Sequence, residues 1–162
     1  PEQLESLDLV EMLGSAVNTV KMHHSGREII KSLPFDSCTV RANPVMLEQL
    51  FYNILENAVQ YSPEAAPVLI TGHKQAGQVE IAISDQGCGI PASELNRVFD
   101  RFYRSAENVR KEGHGLGLSI ASGFAQAFGG DISAHSPLEM GKGTKIIVKL
   151  PASPSPSEST GK

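Results

Sequence analysis

Apolar positions along the chain fall into two periods. Between residues 8 and 22, Leu9, Met12, Leu13, Ala16, Val17 and Val20 recur at three- and four-residue spacing, which predicts an amphipathic helix. Asn43-Pro44 supplies a cap and a first-turn proline. The run that follows, "VMLEQLFYNILENAVQY", puts Leu47, Leu50, Phe51, Ile54, Leu55 and Ala58 on one face, with Asn53, Glu56, Asn57 and Gln60 along an edge beside it. A third helix, "LGLSIASGFAQAF", stops at Gly129-Gly130.

Strand-like stretches lie between these helices. "EIIKSLP" and "CTVRA" are short; "PVLITGHK" and "QVEIAIS" flank "QAG" and predict a hairpin; "DISAHS" and "GTKIIVKLP" follow the third helix. "DQGCGIP" is a tight glycine loop and "ASELNRVF" a short helix. Residues 100–113, with Arg101, Arg104, Arg110 and Lys111 and little periodicity, read as a mobile loop. Strands and helices are mixed without strict βαβ alternation. The expected fold class is α+β: a mixed sheet of about five strands packed on about three helices as a two-layer sandwich.

Composition narrows the function classes. At 162 residues, 40% hydrophobic and 20% charged, the chain suits one globular domain with its own core. A net charge of −4 argues against nucleic acid as a partner. No apolar run reaches the roughly 18 residues of a membrane span, and the acidic opening "PEQLESLDL" is no secretory signal. The chain starts without Met and reads as part of something longer. Cys38 and Cys88 share no metal-ligand spacing, in keeping with a reducing, cytoplasmic setting.

Glycine loops raise the question of phosphate. "GKGTK" does not fit a Walker loop, and the sixth position of a Rossmann fingerprint is here Leu118. Gly113, Gly115 and Gly117 nonetheless precede a helix whose first N–H groups and dipole favour an anion. The alternative is a glycine-rich turn with no ligand. Asp85 ends an apolar strand, with Gly87 and Gly89 after it. In a pocket its carboxylate would accept a hydrogen bond from an exocyclic amine such as that of adenine; at an open strand end it would be merely solvated. Asn53 and Asn57 lie four apart, so their amide oxygens face one way and would suit Mg²⁺, or else water.

Five segments in order, "NILENAVQYSP", "DQGCGIP", "RVFDRFYRS", "GHGLGLSIA" and "GKGTKIIVKL", resemble the N, G1, F, G2 and G3 boxes of sensor histidine kinases. Asn57, Asp85, Gly113 and Gly141 follow one another at about 28 residues. The resemblance spans roughly residues 8–150 and implies the Bergerat ATP-binding fold with a mobile ATP lid. It implies ATP and Mg²⁺ as cofactors, with Asn53 and Asn57 holding the metal and Asp85 bonding the adenine amine. Gly87, Gly89, Ile90 and Tyr61 would shape the adenine pocket. Arg104 and Arg110 would reach the terminal phosphates. Gly113, His114, Gly115, Leu116, Gly117 and Leu118 would form the phosphate-side hinge and helix start, and Thr144 would close the pocket. Phe99, Phe102 and Tyr103 would anchor the lid.

The implied reaction is transfer of the γ-phosphate of ATP to a histidine, with Asn53, Asn57 and Arg104 as the catalytic set. Gyrase- and chaperone-type ATPases of this fold carry a water-activating glutamate where Asn53 stands, and asparagine cannot take that proton. Glu56 turns away from the Asn53–Asn57 edge at about 100° per residue. The family's phosphoacceptor pattern surrounds none of His23, His24, His73, His114 or His135. The resemblance therefore implies an acceptor on a dimerisation domain before residue 1, with residues 1–7 expected as a linker from it, 8–151 as the ATP-binding domain and 152–162 as a disordered tail. The implied partners are that domain and then a response regulator. This stretch would be a monomer and the whole protein a homodimer, and the resemblance allows a membrane anchor in segments absent here. Two positions depart from the family: Gln60, where lysine is usual, and His114, where threonine is common. They keep open a nucleotide-binding regulatory module or pseudokinase. A serine-directed relative such as an anti-sigma-factor kinase fits less well with "RVFDRFYRS".

Overall fold

The computed structural model describes residues 3–89, 95, 97–100, 117–136 and 142–153. Three α-helices lie among them: α1 (Leu9–His23), α2 (Pro44–Tyr61) and α3 (Gly117–Ala127). The strands are β1 (Glu5–Asp8), β2 (Ile29–Ser32), β3 (Thr39–Ala42), β4 (Val68–Gln75), β5 (Gln78–Asp85), β6 (Asp131–His135) and β7 (Thr144–Ser153).

The helix starts have clear local causes. Asp8 caps α1 by accepting from the Val10 N–H at 3.1 Å, and the same oxygen accepts from Cys38 N–H at 3.0 Å. Asn43 caps α2 through Met46 N–H at 3.1 Å, and Pro44 occupies the first turn, where a missing N–H is harmless. α3 is followed by Gly129 at φ 81°, the left-handed conformation that ends helices.

The sheet runs β1-β3-β7-β5-β4-β2, with β6 also on β7. Among the described residues only β2 and β4 pair in parallel; the other ladders are antiparallel. The mixed α+β sandwich is thus as expected, but with seven strands among the described residues rather than about five. β1 lies in the stretch assigned to a linker. Four residues, with only Leu7 apolar before Asp8, carry too little alternation to announce a strand; the open edge of β3 supplies the ladder. Likewise β7 continues through Ala152 and Ser153, which pair with β3. The mobile loop expected over 100–113 lies outside the described residues, apart from Asp100.

Alternation on the central strands sets the core. Val79, Ile81 and Ile83 of β5 and Ile146, Val148 and Leu150 of β7 point inward. Glu80 and Lys149 stand on the opposite, wet face, paired at 3.8 Å. Against the inner face lie Leu9, Leu13 and Val20 of α1, Leu47, Leu50, Phe51, Ile54 and Leu55 of α2, and Ala121 and Ala125 of α3. Each large side chain buried this way stabilises by roughly 1.5–3 kcal/mol. Phe51 is among the largest fully buried groups and sits two residues before Asn53, so the core fixes the face on which the asparagines stand.

Candidate functional site: the cleft at the end of β5

β5 ends at Asp85, paired across the ladder with Thr144 at the start of β7. Asp85 is only 7% exposed. Its Oδ1 accepts from Gly87 N–H at 2.9 Å, and the backbone N–H of Thr144 also bonds the carboxylate. Burial pushes its pKa up to about 6, and the two N–H bonds pull the other way. Among the described residues no cation pairs with it. The result is a buried acceptor held in place by backbone N–H groups.

The loop after Asp85 is pressed against the end of α2. A Cβ at Gly87 would stand 2.4 Å from the Tyr61 carbonyl oxygen, so only glycine fits there. The Gly87 carbonyl accepts from Gly143 N–H at 2.9 Å, tying the loop to the segment before β7. Gly89 has φ 82°, a turn that other residues resist. Ser62 caps α2 and accepts from Gln86 N–H at 3.2 Å through its hydroxyl. The Thr144 hydroxyl donates to Ser136 Oγ at 3.3 Å, and Ser136 Oγ donates to the Gly143 carbonyl at 2.8 Å.

Asn53, Asn57 and Tyr61, at i, i+4 and i+8 on α2, run as a half-buried stripe toward that loop. Gln49 Nε2 donates to Asn53 Oδ1 at 2.7 Å. The first residue of α3 meets the other end of the stripe: a Cβ on Gly117 would lie 3.9 Å from both the Cβ and the carbonyl oxygen of Asn53. Leu118 packs onto the core beside it. The positive end of a helix dipole therefore abuts the asparagine edge. Glu56 faces elsewhere. Its carboxylate contacts His24 Nε2 at 2.8 and 2.9 Å, and Tyr52 is its other neighbour. Tyr52's hydroxyl is held above its ordinary range, by burial first and then by Glu56. His23 Nδ1 lies 3.1 Å from the same hydroxyl.

The structure thus gathers Asn53, Asn57, Tyr61, Asp85, Gly87, Gly89, Gly117, Leu118 and Thr144 around one region. Ile90, Arg104, Arg110, Gly113, His114, Gly115 and Leu116 lie outside the described residues, as do Phe102 and Tyr103. Phe99 packs against the core. Sequence reasoning missed Ser62, Ser136 and Gly143. Ser62 had one signal, a hydroxyl directly after Tyr61 where α2 stops.

A family model described as histidine kinase-, DNA gyrase B-, and HSP90-like ATPase matches residues 42–154. The chain belongs to that ATPase family. Members of this family bind ATP, and the curled mixed sheet with three helices is its Bergerat fold. Within the family the chain is similar to the sensor histidine kinase WalK of Bacillus subtilis, 41% identical over 128 residues. That match covers 76% of this chain and 21% of WalK. The adaptive-response sensory kinase SasA of Synechococcus elongatus is 34% identical over 126 residues, 77% of this chain and 32% of SasA. This chain spans a fifth to a third of the length of these relatives. A solved structure of the mycobacterial sensor histidine kinase MprB superposes with a TM-score of 0.84 at 30% identity, covering 94% of this chain and 99% of that one. A full-length ShkA structure in complex with AMPPNP gives 0.78 at 27% identity, over 94% of this chain and 32% of that one. The ATPase domain here is therefore of the sensor-histidine-kinase type. No helix among the described residues is long and apolar enough to cross a membrane.

Proposed function

We propose that the cleft between the end of β5, the asparagine edge of α2 and the start of α3 holds ATP, and that the domain passes the γ-phosphate to a histidine on a separate dimerisation domain. Asp85 carries this reading. A buried carboxylate with no cation beside it among the described residues suits a neutral N–H donor, and the exocyclic amine of adenine is one. Gly87 and Gly89 leave the backbone bare where a flat ring would pass. Tyr61 stands at the same end of α2 to pack on the base.

The phosphates would run along α2 toward α3, where first-turn N–H groups that have no acceptor within the helix and the helix dipole favour negative charge. Asn53 and Asn57 offer neutral oxygen donors one helical turn apart, which fits a magnesium ion whose remaining ligands are phosphate and water. When bound, that ion neutralises phosphate charge. Gln49 already donates to Asn53 Oδ1, and so orients that amide with its oxygen fixed. Arg104, Arg110 and the residues from Gly113 to Leu116 would approach from the lid side, and Thr144 would close the pocket from the far end of the sheet.

Catalysis would be alignment and charge neutralisation. An acceptor imidazole nitrogen forms a bond to the γ-phosphorus as the bond from that phosphorus to the bridging oxygen breaks, and ADP leaves. Asn53 supplies no base to activate water, and Glu56 is engaged with His24 and Tyr52 on the other side of α2. Both features favour transfer over hydrolysis. The acceptor domain, a homodimer built on it, a response regulator downstream and a cytoplasmic location complete the reading. AMPPNP in the ShkA complex, an adenine nucleotide, supports the ligand class.

Calorimetric titration with ATP, with and without Mg²⁺, tests the site. Binding should be stronger with Mg²⁺, and Asp85→Ala and Asn57→Ala should each weaken it roughly tenfold or more. Wild-type affinity in both variants would sink the proposal.

A further inference from the structure

One side chain from outside the cleft grips its floor. Arg27 follows α1 and donates from one guanidinium nitrogen to the carbonyl of Ser62 at 3.0 Å and of Pro63 at 3.1 Å. Its Nε is out of water. The last carbonyls of a helix lack partners within it, so an arginine that satisfies the cap also fixes where the cap sits. Bonds from a charged donor are roughly twice as strong as neutral ones.

What Arg27 holds is the residue that holds the adenine loop. Ser62 is 5% exposed, and its N–H bonds back to the Ala58 carbonyl at 3.0 Å, so its backbone has little freedom. Its hydroxyl accepts from Gln86 N–H, directly after Asp85. Tyr61, one residue before Ser62, presents the carbonyl against which Gly87 is pressed. A shift of the α2 cap therefore moves Gln86 and Gly87 together, and Asp85 Oδ1 is bonded to Gly87 N–H.

We propose that Arg27 is a positioning residue for adenine recognition, acting through Ser62 on the Asp85–Gly87 loop. Arg27 touches no nucleotide; it sets the angle at which the Asp85 carboxylate meets the base. The inference rests on the reading of Asp85 given above, and its test separates the two.

The test compares binding of ATP and of inosine triphosphate, which carries oxygen in place of the exocyclic amine, to the 162-residue chain. The parent should prefer ATP, and Asp85→Ala should erase that preference. Arg27→Met should weaken ATP roughly three- to tenfold while inosine triphosphate changes little, so the ratio shrinks. Arg27→Lys, able to reach one carbonyl, should fall between. Ser62→Ala removes one hydroxyl from a side chain of similar size and should lower the ratio in the same direction; it decides the matter should Arg27→Met not fold. A purely structural role would weaken both nucleotides equally, and that result overturns the proposal. So does an unchanged ratio in both Arg27→Met and Ser62→Ala. A parent with no preference would overturn the reading of Asp85 and this inference together.

Discussion

Replacing Asp85 by Asn sets the stability of the empty domain against its affinity for nucleotide. Burial lifts the Asp85 carboxyl from 3.8 to about 6, a gap of about two units. At 1.36 kcal/mol per unit, an ionised Asp85 costs the folded state about 3 kcal/mol at pH 7.5. Asparagine keeps an oxygen for the Gly87 N–H but turns an NH₂ toward the rest of the site, where the Thr144 N–H needs an acceptor. One lost bond of about 1 kcal/mol reduces the gain, leaving about 1–3 kcal/mol of stabilisation. At this chain length each kcal/mol moves Tm by roughly 2–4 °C, so the variant should melt roughly 2–12 °C higher at pH 7.5. The pH dependence fixes the cause. A raised folded-state pKa gives stability that is full below about 4 and lost as pH rises through about 6. Acidifying the parent from pH 7.5 to 5 recovers roughly 1.4 kcal/mol of it. The asparagine variant has nothing to recover at this position, so its advantage shrinks by that amount. ATP affinity runs the other way: it should fall below pH 6 in the parent and be weak in the variant throughout. The assay is thermal unfolding of parent and variant at both pH values, without nucleotide, beside an ATP titration. A variant less stable than the parent, or a difference that ignores pH, would show that Asp85 carries no burial penalty.

Other predictions are narrower. Gly87→Ala should cost about 1–3 kcal/mol, because its Cβ meets the Tyr61 carbonyl at 2.4 Å; a denaturant titration unmoved by the change would contradict the contact. Gln60→Lys should tighten ATP several-fold by adding charge near the phosphates, and no gain in a direct affinity comparison would remove lysine's supposed role there. Glu56→Gln should leave nucleotide affinity and transfer within about twofold, since the half-exposed pair with His24 contributes only about 0.2–1 kcal/mol to stability. A large loss of transfer at unchanged affinity would make Glu56 part of the reaction.

The elements legible in the sequence were those whose cause is local. α2 announced itself through its cap, its proline and a long apolar face, and the β4–β5 hairpin through alternation around Gly77. Asp85 was legible because a lone carboxylate ended an apolar strand ahead of two glycines. β1 was not: its four residues are a strand only because β3 offers an edge. Nor were Arg27 and Ser62, whose importance lies in contacts 35 residues apart that no periodicity encodes. The turning away of Glu56 followed from helix geometry, but its partners His24 and Tyr52 came only with the packing of α1 on α2.

Phosphoryl transfer to a histidine carried by another domain is the reaction proposed for this chain. The chain, mixed with a histidine-bearing dimerisation domain and γ-labelled ATP, should place label on that domain in a form lost in acid and kept in base, and Asn57→Ala should abolish it. A chain that binds ATP yet leaves the acceptor unlabelled, or labels it in an acid-stable form, would rule out histidine as its phosphoacceptor.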